Sequence, residues 1–245
     1  MAEIKRILLT CEHAGNEIPD EFQHLFRNNL QILSTHRAMD FGALEFAKRI
    51  AGIFHSQLFS CPATRLLIDA NRSLRHPKVF SEFSRSLAEK NRVWLIRNIY
   101  RAYREPVERN IRKWIRSGAS VLHLSVHSFT PVLEGRERNA DIGLLYDPSR
   151  IEEKKLCTFL QSSLKRCTGL RIRCNYPYQG RSDGFITALR KIYTPQKYLG
   201  IELELNQSLL MNEGVKSIAV AEEFCRSLIY FSGISPGISE EQPFR

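Results

Sequence analysis

Two histidines in this chain stand where apolar runs give way to chain-turning segments: His13 in ILLTCEHAGNEIP (residues 7–19) and His127 in VLHLSVHSFTP (residues 121–131). Neutral imidazole is the commonest zinc donor, and a catalytic zinc takes three protein ligands and keeps a fourth position for water. The two histidines therefore read as parts of one metal site. Taken singly, a histidine after a strand is a satisfied polar group or a loop residue; the repetition is what favours a ligand pair. Other polar residues recur at comparable positions: Glu12 and Glu17 around His13, Asp69, Asn71 and Arg72 in LLIDANR, Ser128 after His127, and Glu202 and Glu204 in GIELELN. Gathered on one sheet edge, groups of these types are what a hydrolytic site needs.

The elements that must carry them are legible as periodic segments. Residues 7–10 and 121–126 are rich in β-branched and leucine side chains, the composition of strands buried within a sheet. Open α/β sheets bind ligands just outside the carboxyl ends of their strands, so residues distant in sequence can meet there. Further strands are expected at 64–69 (TRLLID), 141–147, in LRIRCNYPY as far as Pro177, and at 198–206. Helices are expected at 43–54, 152–166 and 215–231, with a short helical or irregular segment at 21–33. Alternating strands and helices describe an α/β domain with a mixed or largely parallel sheet covered by helices.

At 245 residues and 43% hydrophobic content the chain can bury a full core. One domain over residues 1–231 is expected, followed by a polar, Gly-, Pro- and Ser-rich tail at 232–245 that is expected to be loosely ordered. No apolar stretch approaches the roughly 20 residues of a membrane helix, and the opening MAEIKR leads into a strand rather than a signal-peptide core. A soluble, cytoplasmic protein without membrane contact is the expectation. The six cysteines form no CxxC pair, which argues against a zinc ribbon, a thioredoxin-type motif or a disulfide scaffold. Cys11 as a nucleophile is disfavoured, because an apolar strand end raises a thiol pKa.

The formal charge is +10, and the basic residues crowd into 85–116, which brings nucleic acid into consideration. Within that region Val93, Ile96, Tyr100, Tyr103, Val107, Ile111 and Trp114 recur at helical spacing, describing an apolar stripe turned inward and a wet basic face. Pro106 is expected to break or kink it. The aromatic residues fall on the stripe rather than among the arginines, where they would stack on bases, so RNA binding is a lesser alternative. A basic surface also suits a small anionic metabolite.

The segments CEHAGNEIP, THRAMDFGA, LLIDANRS, VHSFTP, DIGLLYDP, NYPYQGRSDG and GIELELNQ, in this order from residue 7 to about 210, resemble the N-formylglutamate amidohydrolase family. That resemblance places the chain with zinc carboxypeptidase-like and succinylglutamate-desuccinylase-like hydrolases. It implies a three-layer α/β/α, phosphorylase/hydrolase-like fold and one zinc ion per chain. His13 and His127 match the two histidine ligands. For the third, relatives of the carboxypeptidase type carry a glutamate three positions after the first histidine, where this chain has Asn16, with Glu17 one step later. The acidic residue of the DxGA-like segment, Asp40, is the favoured ligand and Glu17 the alternative.

The same resemblance gives Glu204 the role of proton-shuttling base, a choice that strand alternation cannot make because Glu202 and Glu204 share a face. It gives Asn71 and Arg72 the grip on a substrate carboxylate, which suits the two parallel donors of a guanidinium. Asp69 is expected to orient that arginine and Ser128 to support the site from behind. Arg138, Tyr178, Arg181 and Asp183 are expected near the substrate. The implied reaction is zinc-dependent hydrolysis of N-formyl-L-glutamate, or of a similar small anionic N-acyl amino acid, to the free amino acid and formate or another carboxylate. The chain departs from the histidine-utilisation enzymes of this family in carrying Glu12, not proline, before the first histidine. That departure opens an alternative: another N-acyl amino acid, a peptide or a cell-wall fragment.

Overall fold

The computed structural model describes residues 4–211 and 214–234. Its centre is a six-stranded sheet built from β1 (Arg6–Cys11), β2 (Gln57–Ser60), β3 (Val121–Phe129), β6 (Ile142–Leu145), β7 (Ile172–Cys174) and β8 (Tyr198–Asn206), in the order β2-β1-β3-β8-β6-β7. A small hairpin, β4 (Val132–Leu133) with β5 (Arg136–Glu137), projects between β3 and β6 in the chain. The β6–β8 pairing is antiparallel and the other pairings within the sheet are parallel, so the sheet is mixed and largely parallel, as expected.

All nine residues of β3 are buried, because helices cover both sheet faces. On one face, Leu9, Leu122, Leu124, Val126, Leu203 and Leu205 pack against α1 (Ala43–Phe54), α4 (Ile151–Thr168) and α7 (Gly214–Ser232). On the other, Leu8, Val121 and Tyr198 pack against α2 (Glu89–Leu95), α3 (Ala102–Arg116) and α5 (Phe185–Arg190). A short helix, α6 (Gln207–Met211), follows β8 directly. The three-layer α/β/α architecture inferred from the resemblance is thus the observed one. Side chains alternate between faces with period two, and on the second face the three central strands turn polar toward their carboxyl ends: Glu12, then Ser125 and His127, then Glu202 and Glu204.

Several expectations are corrected. Residues 64–69 form turns, not a strand, and the second strand in sequence is Gln57–Ser60. Leu67 and Ile68 are buried nonetheless, because side chains satisfy the local backbone: the Ser81 and Ser84 hydroxyls donate to the Leu66 carbonyl, and Thr64 Oγ1 accepts from Leu66 N. The strand expected to reach Pro177 ends at Cys174, where Asn175 takes a left-handed φ of 50°. No break occurs at Pro106, which lies inside α3; the departure from α geometry is a π-helical stretch, Ile96–Arg101, just ahead of it. Proline withholds the N–H that α geometry would aim at the Ala102 carbonyl. The wider π turns also shift the helical phase, so Leu95 is buried while Val93 is 54% exposed, off the stripe that Ile99, Tyr100, Tyr103, Val107 and Ile111 continue inward. Of the expected tail, Ser232 closes α7 and residues 235–245 lie outside the described residues. Among the described residues no helix is long and apolar enough to cross a membrane.

Candidate active site

β1 and β3 are adjacent and parallel, with Thr10 beside Ser125, so the residues just past one strand end meet those finishing the other. His13 and His127 converge there with ring centroids 5.0 Å apart. Asp40 reaches them from the turn that precedes α1, pinned by its own N–H on the His13 carbonyl at 2.9 Å. Asp40 Oδ2 lies 3.3 Å from His13 Nδ1 and 2.9 Å from His127 Nδ1. These three buried residues form a group able to hold a metal ion, with ligand atoms all within 4.8 Å of one another. Two imidazole nitrogens and one carboxylate oxygen are a donor set that suits zinc. Glu17 does not join them: it is exposed and lines a different cavity, beside Trp94 and Tyr103.

Behind each histidine stands a second carboxylate. His13 Nε2 is 2.8 Å from Asp69 Oδ1, and His127 Nε2 is 3.2 Å from Glu12 Oε2. Arg65 ties the inner and outer carboxylates together, donating to Asp40 Oδ1 at 3.0 Å and to Asp69 Oδ2 at 3.4 Å. Burial alone would raise the Asp40 carboxyl, but the His13 charge and the His127 and His13 hydrogen bonds hold it well below the usual carboxylate range. Asp69 is likewise held low against burial, by His13 and Arg65. Burial alone would lower His127, yet its hydrogen bonds to Asp40 and Glu12 keep its pKa well above the ordinary value. Without a metal, the carboxylates thus favour a protonated His127.

Glu204 flanks this cluster from β8, level with His127 in the strand register, whereas Glu202 pairs with Ser125 two residues back. Glu204 is 5% exposed, and its Oε2 is buried with no hydrogen-bond partner among the described residues. Burial pushes its pKa up to about 7, with His127 opposing and Asp40 and Glu202 reinforcing the rise. Gly143 on β6 faces it; a Cβ there would collide with the Tyr176 carbonyl and stand 3.2 Å from the Glu204 Cβ, so only glycine fits this approach.

The cluster opens into a cavity of about 270 Å³ lined by both histidines, Asp40, Asp69, Glu202 and Glu204, and by Asn71, Arg72, Ser128, Tyr178 and Asp183. Arg72 is anchored at Nε on Asp69 Oδ2 at 3.3 Å and at Nη1 beside His76 at 3.0 Å. Asn71 Oδ1 accepts from Phe185 N at 2.8 Å, fixing the amide so that Nδ2 faces His127. Ser128 supports Asp40 through its backbone N–H at 3.4 Å and hydrogen-bonds Phe41 and Gln207 with its hydroxyl. Asp183 accepts from Ser73 N, bridging the two loops of the cavity wall.

Two residues expected near the substrate do not line the cavity. Arg181 is exposed and outside the cavity lining, because its loop turns it to solvent. Arg138 also lies outside the lining, held against Tyr178 by a 3.1 Å hydrogen bond to the phenol and by stacking on its ring at 5.2 Å. Sequence reasoning missed Arg65, Gln179 and Ser182 on the wall and Ser125 behind His127, counted Glu12 among the polar groups without a specific role, and read Tyr103 as part of the apolar stripe. For Ser125 the signal was available, since alternation places it on the same face as His127.

A profile described as N-formylglutamate amidohydrolase matches residues 5–211 of this chain. Among solved structures, the chain is similar to a gene product of Agrobacterium tumefaciens at 29% identity and a TM-score of 0.77, covering 94% of this chain and 93% of that one. It is also similar to an N-formylglutamate amidohydrolase from Ralstonia eutropha at 15% identity and a TM-score of 0.59, with 94% of each chain covered, a likeness of fold. A comparison with curated proteins found no match.

Proposed function

Because the chain belongs to the N-formylglutamate amidohydrolase family, whose members hydrolyse carbon–nitrogen bonds, we propose that it is a zinc-dependent, cytoplasmic amidohydrolase acting on a small anionic N-acyl amino acid. The observation that carries this reading is the convergence of His13 Nδ1 and His127 Nδ1 on Asp40 Oδ2 in the cavity that Glu204 also lines, its buried Oε2 having no hydrogen-bond partner among the described residues. His13, Asp40 and His127 would hold one zinc ion per chain, whose chemistry when bound is Lewis-acid polarisation of the acyl carbonyl and activation of water at neutral pH.

The remaining work falls to the chain's own groups. Glu204 accepts the proton of the attacking water at Oε2 and delivers it to the leaving nitrogen; a carboxyl poised near 7 suits both halves of that exchange. Arg72, 32% exposed and held at Nε by Asp69 and at Nη1 beside His76, turns Nη2 to the substrate carboxylate. Asn71 holds the neighbouring wall, and Asp69 serves His13, Asn71, Arg65 and Arg72 together, coupling substrate grip to the metal ligands. Tyr178 and Asp183 complete the lining of the cavity.

N-formyl-L-glutamate is the first substrate to test. A second reading keeps the chemistry and changes the amino acid. It is favoured by the rest of the lining, where Tyr178, Gln179 and Ser182 are neutral and Arg65 Nη1 and Nη2 already engage carboxylates. The test measures zinc content and formate release from N-formyl-L-glutamate and N-formyl-L-glutamine, for the parent, His127→Ala and Glu204→Gln. About one zinc per parent chain, lost in His127→Ala, and retained with activity abolished in Glu204→Gln, is the expected result. Preference for the glutamine compound would select the second reading. A parent that binds no zinc and stays inactive when zinc is added would refute the proposal.

A further inference from the structure

Glu12 and His13 are neighbours in sequence but face different histidines. His13 enters the metal cluster itself, while Glu12, 1% exposed, turns beneath β3 and meets the outer edge of His127. Its two oxygens face three donors. Tyr103 donates its phenolic proton to Oε1 at 3.1 Å, Ser125 donates its hydroxyl proton to Oε2 at 2.6 Å, and His127 Nε2 stands 3.2 Å from the same Oε2. An ionised carboxylate accepts and cannot donate, so it can satisfy all three.

The proton count then constrains the imidazole. Ser125 has one proton and spends it on Glu12, so its 2.9 Å contact with His127 Nε2 can only be one in which the ring nitrogen donates. Asn71 Nδ2, the other polar neighbour of that nitrogen, sits at 3.5 Å, the limit of a hydrogen bond. With Nε2 carrying the hydrogen, the coordinating lone pair belongs to Nδ1, the atom that faces Asp40 Oδ2 at 2.9 Å. Asp69 stands in the same relation to Nε2 of His13.

We propose that Glu12 is a positioning residue for the metal centre: through the Glu12–Ser125–His127 triangle it fixes His127 as the Nε2–H tautomer and aims Nδ1 at the ion. This inference rests on the zinc reading above. Carboxylates behind a metal-bound histidine orient the ring and raise its basicity, and their removal typically costs 10- to 100-fold in metal affinity. Glutamine at position 12 keeps the shape but removes the charge behind His127: its amide oxygen can serve Ser125 and His127 only with the NH₂ turned to Tyr103, whose hydroxyl must then accept, and a neutral amide raises the basicity of the ring less than a carboxylate does.

The experiment is zinc affinity by chelator competition for the parent, Glu12→Gln, Tyr103→Phe and Ser125→Ala, with unfolding midpoints measured alongside, and nitrogen-15 NMR of the histidine rings in the zinc-loaded parent. Glu12→Gln is expected to weaken zinc binding about 10- to 100-fold. Tyr103→Phe, which removes a donor that does not touch His127, is expected to lose far less at a comparable change in unfolding midpoint. The parent spectrum should show His127 bound through Nδ1 with its hydrogen on Nε2. Coordination through Nε2, which needs no variant to fold, would overturn the inference, as would Glu12→Gln binding zinc as tightly as the parent. A parent that binds no zinc overturns this inference together with the metal reading, whereas the other two failures leave that reading intact.

Discussion

Replacing Glu204 by glutamine should reshape the pH dependence of stability of the zinc-free protein. In the folded chain the Glu204 carboxyl titrates at about 7 against 4.5 for the ordinary group, because burial disfavours its charged form and Asp40 and Glu202 add like charge. Between those two values the unfolded chain has released the proton and the folded chain still holds it, so the folded state binds more protons and its stability falls as pH rises. Below about 4.5 both states are protonated and above about 7 both are ionised, which confines the loss to that window. A separation of about 2.5 pH units corresponds to about 3 kcal/mol at 1.36 kcal/mol per unit. Glutamine keeps the shape and has no proton to lose, so the difference in unfolding free energy, variant minus parent, should grow by about 3 kcal/mol from pH 4.5 to 7.5. Urea titrations of both proteins in the presence of a chelator, at half-unit pH steps, measure that difference directly. Parallel stability curves would refute the reasoning, since they would mean that Glu204 ionises as a solvated carboxylate does and has no environment in which to act as a base.

Three further outcomes follow from the same geometry. With His127 held protonated by Asp40 and Glu12, zinc binding near pH 7 should release about one proton from that ring, seen as a dependence of the calorimetric enthalpy on the ionisation enthalpy of the buffer; a buffer-independent enthalpy would contradict it. Arg72→Ala should raise KM for an N-acyl amino acid by roughly 10- to 100-fold, the loss of a charge-assisted contact worth about 1.5–3 kcal/mol, while zinc content stays at the parent level; an unchanged KM would place the substrate carboxylate elsewhere. Gly143→Ala should lower the unfolding midpoint and kcat together, because the added methyl collides with the Tyr176 carbonyl and presses on Glu204, and a variant matching the parent in both would show that β6 yields there at no cost.

What the sequence disclosed, and what it withheld, divides along the difference between regular and irregular chain. β1, β3 and β8 announce themselves by apolar composition, and two-residue alternation then places Ser125 with His127 and Glu202 with Glu204. The same rule cannot separate Glu202 from Glu204; in the strand register Glu204 is level with His127 and Glu202 with Ser125. The segment at 64–69 misleads because Leu67 and Ile68 have strand composition but are buried within turns whose backbone is bonded by Ser81, Ser84 and Thr64, side chains that no periodicity connects to them. Arg65 was missed for that reason: as the second residue of a supposed strand it had no cause to bridge Asp40 and Asp69.

Glu12 shows how local pattern and tertiary consequence can separate. Consecutive residues at a strand end point to opposite sides, so the carboxylate directly before His13 is poorly placed to serve that histidine and well placed to reach across to the next strand. β3 supplies the partner, because parallel pairing brings Ser125 beside Thr10 and so sets His127 past it, above Glu12. The dipeptide Glu12–His13 thus delivers a candidate ligand to one side of the cluster and a carboxylate behind His127 to the other, while Asp69 and Asp40 arrive from separate loops to complete the pattern. A site assembled this way ties the aim of each histidine to a different stretch of chain. Its pre-organisation therefore depends on the β1–β3 pairing as a whole, and damage to that pairing should be read out in metal affinity as well as in stability.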